Sequence, residues 1–333
     1  LEEYERIENQ VQDVRFGVIN IYMNKQDSDD LVKEKTRPSK SKEDHNFNHL
    51  QAEQRMRIEH VSILKMICAT RNDETWETRA YFEYPNEDLY DRRSALTSPA
   101  EIMKFLTHLL EGLVYLQEHR FVHGDLRPEY VFYDARKARY ILLDRLGDPS
   151  SYSQAQRNNL VYENKNIFMR PAMFNQLSRG AQRVEHNPFK SEVFALGMVL
   201  LSMFTDDVDL GMCYNRMSKQ FDVLHFKSIF MDLNKHFFSG KIERLISDFL
   251  FDCMLNLDEK VRLSPRKCLH RLRYEVAPAM LRELEKHQME LRMRETQANR
   301  EFQKERESDA QVESEEASRQ TEPQAQSEEG RAK

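Results

Sequence analysis

Two acidic residues, Asp125 and Asp144, stand at the two ends of a short stretch whose pattern predicts a loop followed by a hairpin. The hairpin is predicted because two β-rich runs, 130–133 and 140–143, are joined by the polar residues 134–138. Two carboxylates held by one compact scaffold are typical of a site for metal and phosphate, or of a site for proton transfer. This pair is therefore the first candidate for chemistry in the chain.

An amphipathic helix is expected to lead into this unit. Ser98 is a suitable N-cap with Glu101 three residues later, and the helical pattern then runs from Pro99 to Glu118. Its apolar residues recur at helical spacing: Ile102, Phe105, Leu109, Leu113 and Leu116. We expect these side chains in the core of a domain rather than at a cofactor.

Composition excludes several classes of function. The 333 residues are 40% hydrophobic and 32% charged, enough for one large or two modest domains with a solvated remainder. A net charge of −6 and a pI of about 6.1 argue against nucleic acid and against an anionic membrane as partners. The 4 cysteines show neither metal-ligand spacing nor a disulfide framework, and no apolar run is long enough to span a bilayer. We therefore expect a cytoplasmic protein.

Residues 123–130 read H-G-D-L-R-P-E-Y and resemble the catalytic loop of eukaryotic protein kinases, whose pattern is H-R-D-L-x-x-x-N. Asp144 follows a short hairpin later, as the Asp of the D-F-G segment does in that family. The resemblance implies that Asp125 accepts the proton of a substrate hydroxyl and that Arg127 lies near the γ-phosphate of ATP. It also implies that Asp144 binds Mg²⁺.

This stretch departs from the family pattern at four positions. Gly124 replaces the Arg that holds a phosphorylated activation loop, which disfavours switching by phosphorylation of that loop. Tyr130 replaces the Asn that binds the second Mg²⁺, and a phenol is a poor ligand for a hard cation at neutral pH. Arg145 and Leu146 replace the Phe and Gly of D-F-G. These changes speak against normal phosphoryl transfer.

The strands that cover the ATP phosphates in the family are only partly matched. The pattern G-x-G-x-F-G-x-V aligns with residues 12–19. Phe16 and Gly17 match it, and the resemblance implies that they contact the nucleotide. Gln12 and Val14 replace the first two glycines, and Val14 adds bulk where the backbone must approach a phosphate closely. An ordinary hairpin that never meets a phosphate is the alternative.

The lysine that pairs with the α- and β-phosphates of ATP, and with a Glu on a helix, falls on Lys33 by resemblance. Lys35 would take that place under a shift of two residues. The facing helix position falls on Gln51, and Glu53 would substitute only if the helix register shifted. The elements expected here are a strand at 31–35, a loop at 37–48 and a helix at 50–58.

Residues 83–87 resemble the hinge between the two lobes of a kinase, which would place Glu83 and Pro85 beside ATP. The backbone N–H that would donate to adenine belongs to position 85, and proline has no N–H. Losing that hydrogen bond costs roughly 1–3 kcal/mol. A shift of one residue would restore a donor; otherwise, Pro85 only stiffens a linker.

Further downstream, residues 168–172 resemble the end of an activation segment, with Ala172 in place of the usual Glu. The Arg that normally pairs with that Glu is present as Arg262, so we expect it to have another acidic partner or to be exposed. Residues 187–197 resemble the start of the family's buried central helix, with Glu192 in place of Asp.

The C-terminal segment is predicted to be a charged helix, 278–306, followed by a disordered tail from 308 to 333. Gln288 and Glu295 interrupt its weak heptad pattern, so both a coiled-coil oligomer through 278–306 and a solvated single helix stay open. The apolar heptad positions are Leu281, Leu284, Leu291, Ala298 and Phe302.

We therefore predict an α+β, bilobal protein-kinase-like fold. It has a small β-rich N-lobe (1–82), a hinge (83–87), a larger helical C-lobe (83–275) and a charged C-terminal helix with its tail (276–333). The departures from the family pattern favour a pseudokinase that acts as a regulatory or scaffolding module on protein partners. The alternative is a divergent, low-activity Ser/Thr kinase that uses ATP and Mg²⁺ on a protein substrate.

Overall fold

The computed structural model of the protein describes residues 2–13, 17–85, 87–143, 168–205 and 210–320, with the backbone alone described at 8–13, 17–18 and 305–320. These residues belong to two compact units, Leu1–Ala279 and Met280–Lys333. The first unit contains a β-rich region and a helical region, as a bilobal kinase fold requires.

The β-rich region is a five-stranded antiparallel sheet in the order β1-β2-β3-β5-β4. This confirms the strands expected at the start of the chain and at 31–35. The central strand β3 pairs with β2 through Lys33 opposite Ile21, and with β5 through Lys33 opposite Phe82. The strands are β1 (Tyr4–Asp13), β2 (Gly17–Asn24), β3 (Leu31–Pro38), β4 (Met66–Asn72) and β5 (Glu77–Glu83).

The helix packed on this sheet, α1, covers Lys42–Met56, so the predicted loop at 37–48 and helix at 50–58 are wrong in their bounds. Ser41 caps the helix, because its Oγ accepts a hydrogen bond of 3.2 Å from the Asp44 N–H. The buried face is largely polar, which hides the apolar periodicity on which the prediction depended. Its members are His45, Asn48, Ala52 and Arg55.

The helical region begins after the hinge with β6 (Glu87–Asp88) and α2 (Pro99–Glu118), and the bounds predicted for α2 are confirmed. A short hairpin, β7 (Val131–Asp134) and β8 (Arg139–Leu142), then pairs with β6. The described residues that follow form the α-helices α3 (Pro171–Ser178), α4 (Pro188–Phe204), α5 (Val223–His236), α6 (Lys241–Asp248) and α7 (Pro265–Arg271), with a small pair of strands, β9 (Tyr214–Asn215) and β10 (Gln220–Phe221).

Helix α4 is buried along almost its whole length, as its apolar sequence predicts. Gly197 allows Leu255 to approach the helix closely, because a Cβ added at position 197 would lie 2.8 Å from Leu255 Cδ2. Asn187 caps the helix by accepting a hydrogen bond of 3.1 Å from the Lys190 N–H. This rigid central helix supports the loop that carries Asp125.

The last helix, α8, covers Ala277–Gln320, so the helix predicted at 278–306 exists and the disorder predicted at 308–320 is wrong. Ala, Glu, Gln and Arg occupy 8 of the 13 positions from 308 to 320, and their high helix propensity accounts for the extension. Leu281, Leu284 and Phe302 are exposed on it. Neither this helix nor any other in the described ranges combines the length and the apolar character needed to cross a membrane.

Candidate functional site

The Asp125 loop, residues 121–127, joins α2 to the hairpin and is fastened to it by His123. The Asp125 N–H donates to His123 Nδ1 at 3.4 Å, so Nε2 carries the ring proton and donates to the Leu143 carbonyl at 2.8 Å. The Leu143 N–H donates in turn to the Tyr130 carbonyl at 2.8 Å. Asp125 is therefore held beside the open end of the hairpin.

Glu192, on helix α4, holds the same loop through hydrogen bonds. Its Oε1 accepts hydrogen bonds from the backbone N–H groups of His123 and Gly124, the latter at 3.0 Å. Gly124 has φ +83°, a left-handed conformation that costs a non-glycine residue about 1–2 kcal/mol. Burial raises the pKa of Glu192 to about 8, although the two N–H groups oppose this shift. A single acid inside an apolar helix was the sequence signal for this loop anchor.

Asp125 and Arg127 lie together and bind each other. Arg127 donates two hydrogen bonds to the carboxylate, 2.8 Å from Nε to Oδ1 and 2.5 Å from Nη2 to Oδ2. Their side chains are only 12% and 14% exposed, respectively. Burial alone would lower the pKa of Arg127, but the charge and hydrogen bonds of Asp125 raise it above its ordinary value. Both oxygens of the candidate base are thus engaged by a neighbouring cation.

Tyr130 is buried in the core rather than turned toward solvent. Its ring lies 5.8 Å from the His123 ring and 5.4 Å from Arg127 Cζ, measured to ring centroids. The side chain is 6% exposed. The position where the family carries a metal-binding Asn is therefore part of a packed apolar layer.

That layer is a single cluster, here called the cleft cluster, in which the sheet and the hairpin pack directly on each other. The sheet contributes Ile19 and Phe82, and the hairpin contributes Phe132, with Leu143 directly after it. Each of these four side chains is at most 7% exposed. The other members are Ile21, Ala52, Leu64, Met66, Tyr130 and Ile141. Side chains of the sheet and of the hairpin are therefore buried together in one cluster.

Lys33 is fully buried on the face of β3 that points into the cleft cluster. Its Nζ lies 5.4 Å from the Phe82 ring centroid and 5.8 Å from that of Tyr84, within cation–π range. Lys35 lies two residues along the same face and pairs with Ile19 and Ala80, farther from the hinge. Because Lys33 lies opposite Phe82, directly before the hinge, the strand register favours Lys33 over Lys35 as the counterpart of the family lysine.

Neither candidate for the acidic partner on α1 lies in the buried layer. Gln51 is exposed and accepts a hydrogen bond of 3.3 Å from Arg37 Nη1. Glu53 is also exposed and lies 3.4 Å from His49 Nε2. The residue between them, Ala52, packs in the cleft cluster.

The hinge residues lie beside a cavity of about 340 Å³, which Glu83, Tyr84 and Pro85 line together with the turns after β2 and β7. The Tyr84 N–H donates to the Leu31 carbonyl at 2.9 Å, so a one-residue shift toward it supplies no donor to a ligand. Glu83 Oε2 lies 2.7 Å from Lys137 Nζ.

Two site residues predicted from the sequence, Phe16 and Asp144, lie outside the described residues. Arg145 and Leu146 also lie outside them. Gly17 begins β2 opposite Asp13 in the first hairpin. Nucleotide contacts by Phe16 and Gly17, and Mg²⁺ binding by Asp144, stay predictions.

Arg262 is not exposed, and among the described residues no acidic side chain forms an ion pair with it, so the expectation from its sequence context is wrong within the described chain. It is 1% exposed, and in the described part of the chain its guanidinium donates to the carbonyls of Asn256, at 2.6 and 2.8 Å, and of Lys190, at 3.4 Å. Its Cζ lies 4.7 Å from the centroid of the Phe194 ring. Backbone carbonyls and a ring face therefore replace the carboxylate.

A second buried arginine forms the ion pair instead. Arg170, directly before α3, pairs with Glu259 and donates to the Glu185 carbonyl at 3.2 Å. The other oxygen of Glu259 accepts a hydrogen bond of 2.7 Å from the Asn187 N–H, at the start of α4. The end of the segment before α3 is thus tied to α4 with the acid and the base exchanged relative to the family.

Comparison with known proteins agrees with this architecture. The sequence model described as protein kinase domain matches residues 14–272. The serine/threonine-protein kinase ksp1 of Schizosaccharomyces pombe is 24% identical over 166 residues, which are 44% of this chain and 34% of that relative. The aligned stretch therefore covers about a third of the relative's length. Because the domain model spans both the sheet and the helical region, this chain belongs to the protein kinase family.

Proposed function

We propose that this protein is a pseudokinase, a regulatory or scaffolding module of the kinase fold with weak or no turnover of ATP. The cleft cluster carries the proposal. Ile19, Phe82, Phe132 and Leu143 are packed where the sheet and hairpin meet, and Tyr130 belongs to the same layer. A nucleotide entering between them would have to separate buried apolar surfaces. Exposing apolar surface to water costs about 25 cal/mol for each Å².

The residues at this site do not fit Mg²⁺ and ATP in the manner of the family. Tyr130 offers a buried phenol where a hard cation needs a carboxamide or carboxylate oxygen. Phosphoryl transfer depends on positioning and charge neutralisation, so loss of one metal ligand is expected to be severe. Pro85 adds to this, because it withdraws an N–H from the hinge.

The pairing of Asp125 with Arg127 supports the same function. A base must accept a proton from the substrate hydroxyl, and here both carboxylate oxygens already accept hydrogen bonds from the guanidinium. The pair is short and mostly buried, which favours a structural role in the loop.

Protein partners are the proposed targets of the module, through the helical region and the C-terminal helix. Leu224 and Met231 lie seven residues apart on α5, which places them on one face, and both are largely exposed. The coiled coil through 278–306 and the cytoplasmic location stay predictions.

A divergent Ser/Thr kinase is the second candidate, and one observation favours it. Lys33 keeps its register opposite the residue before the hinge, and Asp125 and Arg127 are both present at the end of the hairpin. If the cleft cluster opened on binding ATP, these residues would be available for phosphoryl transfer.

Turnover of ATP separates the two candidates. We expect purified protein with Mg²⁺ and ATP to release ADP no faster than the Asp125→Asn variant, in an assay sensitive enough for slow kinases. A rate for the wild-type chain that clearly exceeds the rates of both Asp125→Asn and Asp144→Asn would identify the divergent kinase and refute the pseudokinase.

A further inference from the structure

The cavity of about 340 Å³ is lined by hinge residues and by residues of two turns. Three segments meet around it: the turn at 25–30 between β2 and β3, the hinge, and the turn at 135–138 between β7 and β8. The Asp125 loop meets the open end of the hairpin, and this turn is its closed end. A four-residue strand is about 13 Å long, which separates the turn at 135–138 from the Asp125 loop.

Two cations on the hairpin turn reach across the hinge from the helical lobe. Arg136 forms an ion pair with Asp27 in the sheet region and lies 4.0 Å from Asp30 in the same turn. Lys137 Nζ lies 2.7 Å from Glu83 Oε2, at the first hinge residue, and 3.2 Å from Asp134 Oδ2. The contacts thus join the sheet, the hinge and the hairpin.

The acids that receive these cations are themselves held in place. Tyr4 Oη donates to Asp30 Oδ2 at 2.6 Å, and Asn24 Nδ2 donates to the same oxygen at 2.9 Å. Burial alone would raise the pKa of Asp30, but these two hydrogen bonds and Arg136 lower it. Burial would likewise lower the pKa of Lys137, but Glu83 and Asp134 raise it.

We infer that Arg136 and Lys137 form an electrostatic strap that restrains opening of the hinge and fixes the angle between the two lobes without a nucleotide. Rotation of the lobes about residues 83–87 would separate Arg136 from Asp27, which lie on opposite lobes. The restraint acts on lobe motion, so it holds whether or not the cleft turns over ATP. The strap thereby holds the two lobes in a defined arrangement, which a module that recognises partners by shape requires.

The strap is releasable, because its charges are not deeply buried. Arg136 and Asp27 are 52% and 42% exposed, and Lys137 and Glu83 are 46% and 31% exposed. Exposed ion pairs are weak, and added salt weakens them further by shortening the Debye length below its physiological value of about 8 Å. Higher ionic strength is therefore expected to loosen the hinge.

Hydrogen exchange of the full chain tests this inference. The reporter amides are Glu83 N–H, bonded to the Lys65 carbonyl, and Tyr84 N–H, bonded to the Leu31 carbonyl. In the double variant Arg136→Ala, Lys137→Ala we expect these amides to exchange several-fold faster, with amides of α4 unchanged. The matched control is Arg266→Ala, which breaks the exposed ion pair with Glu118 inside the helical lobe and should leave the hinge amides unchanged.

Two further measurements make the test independent of any global loss of stability. Added NaCl should speed hinge exchange in the wild-type chain and have little effect on the double variant. The charge reversal Asp27→Arg with Arg136→Asp should restore slow exchange that Arg136→Asp alone removes. Equal hinge exchange in the wild-type chain, the double variant and the control would overturn the inference, as would the same salt response in all three.

Discussion

Among single residues, Glu192 shows most clearly how burial governs the properties of the site. It is a fully buried carboxyl group that holds two backbone N–H groups of the Asp125 loop, and no described residue donates to its Oε2. Burial disfavours the ionised form more than the two donors favour it, so its pKa rises from the ordinary 4.5 to about 8. The loop is therefore supported by a group that changes charge near neutral pH.

This shift predicts a pH dependence of stability with a definite sign. Because the pKa in the folded state is raised, the contribution of Glu192 is fully present below about pH 4.5 and is lost as pH rises through about 8. The loss is on the order of a few kcal/mol. We expect the Tm of Glu192→Gln, which cannot ionise, to gain on that of the wild-type chain between about pH 6 and pH 8.5.

Differential scanning calorimetry at a series of pH values would measure this difference. The exposed carboxyl variant Glu285→Gln, in the C-terminal helix, serves as the control and should follow the wild-type profile. A constant offset between Glu192→Gln and the wild-type chain across the whole pH range would contradict the shift.

Several residues of the site were predictable from the sequence, and others were not. The resemblance of residues 123–130 to the family's catalytic loop predicted a loop around Asp125, and such a local motif can be read directly from the sequence. The partners of the two buried arginines were not predictable. Arg262 donates hydrogen bonds to backbone carbonyls and Arg170 forms an ion pair with Glu259, and both contacts depend on which distant segments pack together. A one-dimensional pattern carries no information on such contacts.

Among the elements, the strength of the local signal decided which predictions held. Helix α2 has both a cap position and an apolar stripe, and its bounds, Pro99–Glu118, were correctly predicted. Helix α1 has the cap Ser41 but packs through His45, Asn48 and Arg55, so periodicity missed its first half. Polar residues can form a buried face where hydrogen bonds satisfy them, as Arg55 does with the Leu64 carbonyl.

The ion pair that ties the segment before α3 to α4 predicts a local loss of stability. Arg170 is 3% exposed and its partner Glu259 is 29% exposed, so removing the guanidinium leaves a partly buried carboxylate. We expect Arg170→Ala to lower the free energy of unfolding by about 2–4 kcal/mol in urea titration. Arg179→Ala, an exposed arginine at the end of the same helix, should change it by less than about 0.5 kcal/mol. Equal changes in the free energy of unfolding for the two variants would show that the Arg170–Glu259 ion pair stabilises the fold no more than an exposed arginine does.

At the scale of the whole molecule, the bilobal fold was predictable and the membership of the cleft cluster was not. The fold was predicted because residues 123–130 and the segments around them resemble the motifs of the protein kinase family. The cleft cluster brings Ile19, Phe82 and Phe132 together from segments far apart in sequence. Its packing follows from the shapes of these side chains, so only the folded chain reveals it.

The central claim is that the space between the lobes holds packed side chains in place of Mg²⁺ and ATP. A thermal shift titration tests it most directly, because any ligand of the folded state raises Tm by mass action. We predict that ATP at millimolar concentration, with or without Mg²⁺, leaves the Tm of the full chain unchanged. A rise in Tm that saturates with ATP, requires Mg²⁺ and disappears in the Lys33→Met variant would contradict the account.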